Sequence, residues 1–348
     1  MESKFTKIVA LFIISLLGIT LLIYIDKKYL LIHVFEYGMP NFSSKYLVRS
    51  FLIFICAAMF FFALTNLSTR KNTNTFVLLN SSSRFDKLTI IIIFIFSLFF
   101  IFLAVFKPVE FRELSQEDNI IEWGSVILLF GSSIVFIMTW IKKGVSIYIF
   151  KNFNWICLFI SFVFFVVAME EISWFQRIIK VETPEMFKAN LQNEMNFHNF
   201  NTNYSENIYY FGSFIFLVIL PYLVLLFPNI LTNKQLKFYV PRPFIGVLGT
   251  IPCAFNFDRW DALITQFTLF SCIIILSSFR TYLLDQKERN KITIFLIFLI
   301  LIQIVFLGNR ENYLGLYDLK EYKEFLIPFC FFIYSLDKFN LMKKNEFK

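Results

Sequence analysis

Runs of about twenty apolar residues recur along this chain, and that recurrence decides most of what it can fold into. A hydrocarbon core roughly 30 Å thick takes about 20 helical residues to cross. Runs near that length lie at 8–25, 48–65, 88–106, 121–141, 155–170, 207–227, 262–279 and 292–308. Two shorter candidates, 243–256 with Pro252 and 324–336 with Pro328, read as short tilted spans or re-entrant segments. Fifty phenylalanines and a charged fraction of 17% argue against a soluble domain, which would still expose much of its surface to water. The expected fold is an all-α, polytopic transmembrane helical bundle of about 10 spans (range 8–10). It forms a single integral membrane domain over residues 1–348, with a motif-bearing loop at 171–206. The first run follows Lys4 and Lys7 as a secretory signal would, but it is too long for one. It ends in IDKKY with no small-residue cleavage pattern, so it reads as a retained anchor.

If every candidate crosses, the connections alternate between two sides. The N-terminal segment with 66–87, 142–154, 228–242, 280–291 and 337–348 carries 20 basic and 6 acidic residues, whereas the opposite side carries 13 and 19. Basic connections stay in the cytoplasm, which places both termini there. The formal charge of +8 is spread over these short connections, so membrane orientation explains it and no nucleic-acid partner is expected. Cys56, Cys157, Cys253, Cys272 and Cys330 all lie in or beside apolar runs without a CxxC pair, and read as small buried hydrophobes. The polar stretch 71–83 is a linker without evident chemistry.

The residues that bear chemistry fall on the side opposite the termini. The richest stretch is AMEEISWFQRIIKVETPEMFKANLQNEMNFHN, residues 168–199, where an apolar run meets Glu170 and Glu171. Charge at such a boundary is costly unless paired or hydrated. If the helix continues, Glu170, Ser173, Trp174 and Arg177 share one face, so Arg177 can partner Glu170 or a carboxylate from another helix. Glu171 lies about 100° around the helix and addresses other neighbours. Beyond Pro184, Glu194 and His198 stand four residues apart, a spacing that on a helix serves metal ligation or acid–base work, or else a plain hydrogen-bonding loop. Glu117, Asp118 and Glu122 in SQEDNIIEW open the fourth span. A helix N-terminus accounts well for the first two and less well for the deeper Glu122.

Other groups carry weaker signals. NRENYLGLYDLKEYKE has Asp318, Glu321 and Glu324 at threefold spacing among lysines, which reads as a solvated amphipathic face. FDRWD, with Asp258, Arg259 and Asp261, ties a short connection. His33 and Glu36 precede Pro40 in an interfacial segment. Asp26 and Glu36 would be the acidic candidates of a lipid-phosphate-dependent glycosyltransferase, although their loop is short.

The stretch from Glu170 to Asn199 resembles a group of bacterial polytopic membrane proteins with no assigned activity. Their pattern reads EEISWGQRI, then ETPE, then N-x-Q-x-E-x-N-L-H-N, preceded by an ED-x-x-x-E helix start. The matching residues are Glu170, Glu171, Ser173, Trp174, Gln176, Arg177, Gln192, Glu194, Asn196, His198 and Asn199, with Glu117, Asp118 and Glu122 upstream. Phe175 stands where glycine is usual and Phe197 where leucine is usual, and loss of that glycine restricts close approach of another backbone. The resemblance spans about a quarter of the chain. It implies a multi-pass protein of the bacterial inner (cytoplasmic) membrane and names no substrate.

The functional expectation is a membrane enzyme facing away from the cytoplasm, a hydrolase or transferase acting on a lipid or envelope substrate. Its catalytic candidates are Glu170, Glu171, Arg177, Glu194, His198 and Glu122. A divalent cation, if used, would be held by Glu122, Glu171, Glu194 and His198. Membrane lipids are the expected partners. The alternatives are an ion- or proton-coupled transporter, in which Glu122 and Glu170 would carry protons or cations although they lie at the boundary with only Gln266 and Gln303 as deeper polar groups, and a non-catalytic assembly subunit.

Overall fold

In lipid every backbone polar group must be satisfied within the protein, which leaves helices as the form for apolar runs of this length. The computed structural model describes residues 2–30, 42–68, 83–143, 154–190, 192–229, 232–256, 260–283, 285–313 and 317–343. Among these the regular structure is helical, without a strand. Eight helices are long and apolar enough to cross a membrane: α1 (Phe5–Leu30), α2 (Ser44–Leu67), α3 (Arg84–Phe106), α4 (Ile120–Lys142), α6 (Thr202–Leu226), α8 (Leu263–Tyr282), α9 (Gln286–Gly308) and α10 (Glu321–Lys343). Between α4 and α6, α5 (Trp155–Glu171) is followed after a 63° bend by the short stretch Ser173–Ile179. Between α6 and α8 lies the seven-residue α7 (Pro243–Gly249). The chain is an integral, multi-pass membrane protein.

The two doubtful segments resolve differently. Residues 324–336 lie inside the 23-residue α10, which carries Pro328 without breaking. Residues 243–256 form α7 and a following 3-10 turn, and Phe244, Ile245, Val247 and Leu248 are fully buried. Arg242, just before α7, bonds Asp86 and Asp337, whereas Asn256 at the far end accepts from Lys323 Nζ at 2.8 Å. Lys323 and Asp337 are 14 residues apart on α10, about 21 Å of helix rise. The α7 segment therefore runs between the two ends of the bundle although it is too short to span lipid, because protein surrounds it.

Helix α10 packs on α4, and α4 on α5; α2 and α8 join α1 and α9 in a second group. Gly124 and Gly131 make the α4–α10 approach close. A Cβ on either would stand under 3 Å from the ring of Phe325 or Phe332, and both pairs repeat at seven residues. Ser133 and Ser161 hydrogen-bond at 2.8 Å across α4 and α5, and isoleucines and phenylalanines such as Ile95, Phe99 and Phe102 of α3 face outward, where lipid would lie. The connections sort by end. Ser68 donates to the Leu226 carbonyl at one end, and Tyr322 to the Phe111 carbonyl at the other. All five cysteines are free and buried.

Candidate functional site

The loop from 172 to 201 is built from short turns rather than a continued helix. Ser173, Trp174 and Phe175 have φ of 45°, 56° and 62°, the left-handed region that side chains with a Cβ enter at a cost of about 1–2 kcal/mol each. This reversal swings Arg177 off the face of Glu170. Trp174 stays in reach, its Nε1 donating to Glu170 Oε1 at 2.8 Å. Arg177 instead takes carboxylates from elsewhere: Nη1 donates to Asp118 at 2.5 Å, and Nη2 to Glu117 at 2.7 Å and to Glu194. Glu194 also accepts from Ser173 Oγ at 2.5 Å and from Asn196 Nδ2 at 3.1 Å. Gln176 ties the turn across the loop, donating to Thr183 Oγ1 and accepting from the Met195 N–H.

Two local expectations are corrected. Residues 194–198 are not helical, so Glu194 and His198 do not share a helix face; the 3-10 turn begins only at His198. His198 Nδ1 lies 3.7 Å from Glu170 Oε2, which also accepts from the Phe197 N–H at 2.7 Å. Glu122 does the work of a helix N-terminus after all. Its carboxylate reaches back from the third position of α4 to the backbone N–H of Asp118, as in a capping box, and Asp118, with φ of 60°, lies outside the helix.

These elements enclose a cavity of about 210 Å³ at the end of the bundle where α4, α5, α6 and α10 meet. It brings together all six expected residues, Glu122, Glu170, Glu171, Arg177, Glu194 and His198. Its charged and aromatic lining also includes residues that were not expected there: Glu206 and Tyr209 of α6, Lys320, and Glu321 and Glu324 at the start of α10. Glu321 and Glu324 thus belong to the site and not to a solvated face. Lys320 pairs with Glu206, and Tyr210 donates to Glu324. Burial opposes protonation of His198, but the Glu170 carboxylate against it, with Glu171 and Glu324 beyond, outweighs burial and raises its pKa above 6.5.

The expected metal set does not gather. Glu194 is turned onto Arg177 and Ser173, and His198 onto Glu170. Among the described residues no three His, Cys, Asp or Glu side chains stand close enough to share an ion. Asp26 is committed elsewhere, both its oxygens accepting from Arg49 in a buried pair at 2.6 and 2.7 Å. Gln266 donates to the Trp260 carbonyl near the same end, and so is not a mid-depth group. His33, Glu36, Asp258 and Arg259 lie outside the described residues.

Arg177 is the shared partner of three carboxylates, which makes a stability prediction. Arg177→Gln is expected to cost about 2 kcal/mol, less than a fully buried ion cluster because the arginine is 32% exposed. Lysine should rescue little, since it lacks the fork that reaches several partners. Thermal unfolding in detergent measures this, and an unchanged transition would remove Arg177 from the loop's support.

Fold and cavity together define a class: a multi-pass membrane protein with a carboxylate-rich polar cavity at one end of its bundle. Comparison with protein-family models, curated proteins and solved structures finds no match to this chain.

Proposed function

We propose that this protein is a membrane enzyme, a hydrolase or transferase acting on a lipid or envelope substrate, with His198 and Glu170 as its proton-transfer pair. The observation that carries the reading is the His198 Nδ1–Glu170 Oε2 contact at 3.7 Å inside a polar cavity at the end of the spans. A carboxylate held by Trp174 and the Phe197 N–H orients an imidazole, and Nε2 is then the nitrogen that exchanges a proton with substrate. Glu122 and Glu171 bind and polarise the substrate. Arg177 and Glu194 hold the loop that presents His198, and so act as positioning residues. No metal step enters this scheme.

The test is turnover. Wild-type protein in nanodiscs, given a total bacterial envelope-lipid extract, should deplete one lipid species and build another by mass spectrometry, whereas His198→Asn should not. An unchanged profile, or equal change by the variant, would end the proposal.

The same reading sets the topology at ten crossings with both termini in the cytoplasm of a bacterial inner membrane. It rests on the charge count of 20 basic residues on the side of the termini and on the end-to-end course of the α7 segment. A cysteine at Lys180 should react with membrane-impermeant maleimide in intact cells, and one at Lys287 only after permeabilisation. Both positions are exposed, and the native cysteines are buried. The opposite pattern would invert the orientation.

A further inference from the structure

The cavity is short of positive charge. Eight glutamates line it against Arg177, Lys320 and His198. Each of those cations is already paired: Arg177 with Glu117, Asp118 and Glu194, Lys320 with Glu206, and His198 with Glu170. Glu122, Glu171, Glu321 and Glu324 lie within electrostatic range of one another, and among the described residues none of them forms a close ion pair, Lys320 and His198 acting on Glu171 only at longer range.

A second observation points the same way. Asn196 lines the cavity and is 1% exposed, and its amide nitrogen is used on Ser173 and Glu194, but its Oδ1 is buried with no hydrogen-bond partner. A buried acceptor left open costs about 1–3 kcal/mol, so its retention calls for a donor that arrives with a ligand. A metal ion is a poor candidate, because the carboxylates do not close to a shared coordination distance. A free phosphate is a poor candidate as well, because Arg177, Lys320 and His198 are each engaged by carboxylates and none is left to hold it.

The floor of the cavity is apolar. Val166 and Val167 line it one turn below Glu170 and Glu171, next to Phe162 and Phe165, which α5 exposes on its outer surface. A volume of about 210 Å³ accommodates a headgroup and not a whole lipid. We infer that the cavity takes the primary-amine headgroup of a membrane lipid, its ammonium donating to Asn196 Oδ1 and the Glu171–Glu324 carboxylates while its chains stay in the bilayer beside α5. This rests on the proposed function and narrows its substrate class. A quaternary ammonium has the charge but no N–H, and a glycerol headgroup has donors but no positive charge, so each lacks half of what the site asks for.

The experiment is lipid retention by the full chain in native mass spectrometry. The protein is equilibrated with equal amounts of phosphatidylethanolamine, its N-monomethyl and N,N-dimethyl forms, phosphatidylcholine and phosphatidylglycerol. Retention should fall stepwise with each methyl and be about tenfold lower for phosphatidylcholine, equivalent to about 1.4 kcal/mol. Phosphatidylglycerol should be retained least. Glu171→Gln, checked for an unchanged thermal transition, should flatten the series. Retention indifferent to methylation, or favouring phosphatidylglycerol, overturns the inference. Because the methyl series uses the wild-type chain, a variant that fails to fold does not blunt the test. Turnover of another lipid with no amine preference would leave the enzyme reading standing and remove this one. Amine preference without turnover would do the reverse.

Discussion

Replacing Arg242 with methionine is expected to destabilise the protein by about 3–5 kcal/mol, seen as a lower unfolding temperature and loss of monodisperse protein in detergent. Arg242 Nε donates to Asp337 Oδ1 at 2.8 Å and Nη2 to Asp86 Oδ1 at 3.0 Å, joining α3, the entry to α7 and α10. The two aspartates are 2% and 4% exposed, and each has its other oxygen buried with no partner. Without the guanidinium, two buried carboxylates lose their shared counter-charge. Lys338 lies close by, but its ammonium is engaged by the Val240 carbonyl at 2.6 Å, so compensation is partial. Arg242 itself is 29% exposed, which places the cost toward the lower end of the range. Adding Asp86→Asn and Asp337→Asn to the methionine variant should recover most of the loss, because the penalty lies in the uncompensated charge rather than in a missing contact. A single variant as stable as wild type would show that the clamp contributes nothing.

The same clamp explains why part of the fold was hard to read. Eight spans follow from apolar runs alone, since a helix that faces lipid must be apolar over about 20 residues. Residues 243–256 face protein, where that length requirement lapses. Helix α10 looked short because Lys323, Glu324, Asp337 and Lys338 count against it in any hydropathy window. All four are buried, Lys323 against Asn256, Glu324 against Tyr210, Asp337 against Arg242 and Lys338 against a carbonyl.

Within the site, Glu170, Glu171 and His198 were legible because ionisable groups at a membrane boundary are rare. Their geometry was not, because helical spacing holds only if the helix continues across Ser173–Phe175, where the chain turns left-handed. Phe175, expected to restrict the close approach of another backbone, has φ of 62°. Backbone conformation, rather than the approach of a second backbone, is what glycine would ease there. Glu206 lies seven residues past Asn199, in the first turns of α6, and Lys320, Glu321 and Glu324 lie more than a hundred residues further on, where charges spaced by three among lysines look solvated until a neighbouring helix covers them.

His198→Asn is expected to lower turnover by about 10²–10⁴-fold, the usual contribution of a positioned acid or base, with the protein still folded. The pH dependence distinguishes this role from simple loop support. His198 has its pKa raised above 6.5, where the opposing burial is outweighed by Glu170, Glu171 and Glu324 and Lys320 offsets only part of their effect. The folded state therefore favours the imidazolium. That contribution to stability is full below the unfolded pKa near 6.5 and is lost as pH rises through the higher folded value. Activity that needs the charged ring as proton donor falls over the same window. Glu170→Gln removes the nearest carboxylate and should move both transitions to lower pH, cutting turnover most at neutral and alkaline pH and least in acid. The chain has two histidines, so His33→Gln leaves a single imidazole whose titration can be followed by NMR. A midpoint at or below 6.5, or one indifferent to Glu170→Gln, would separate the two residues and leave the cavity without its proton-transfer pair.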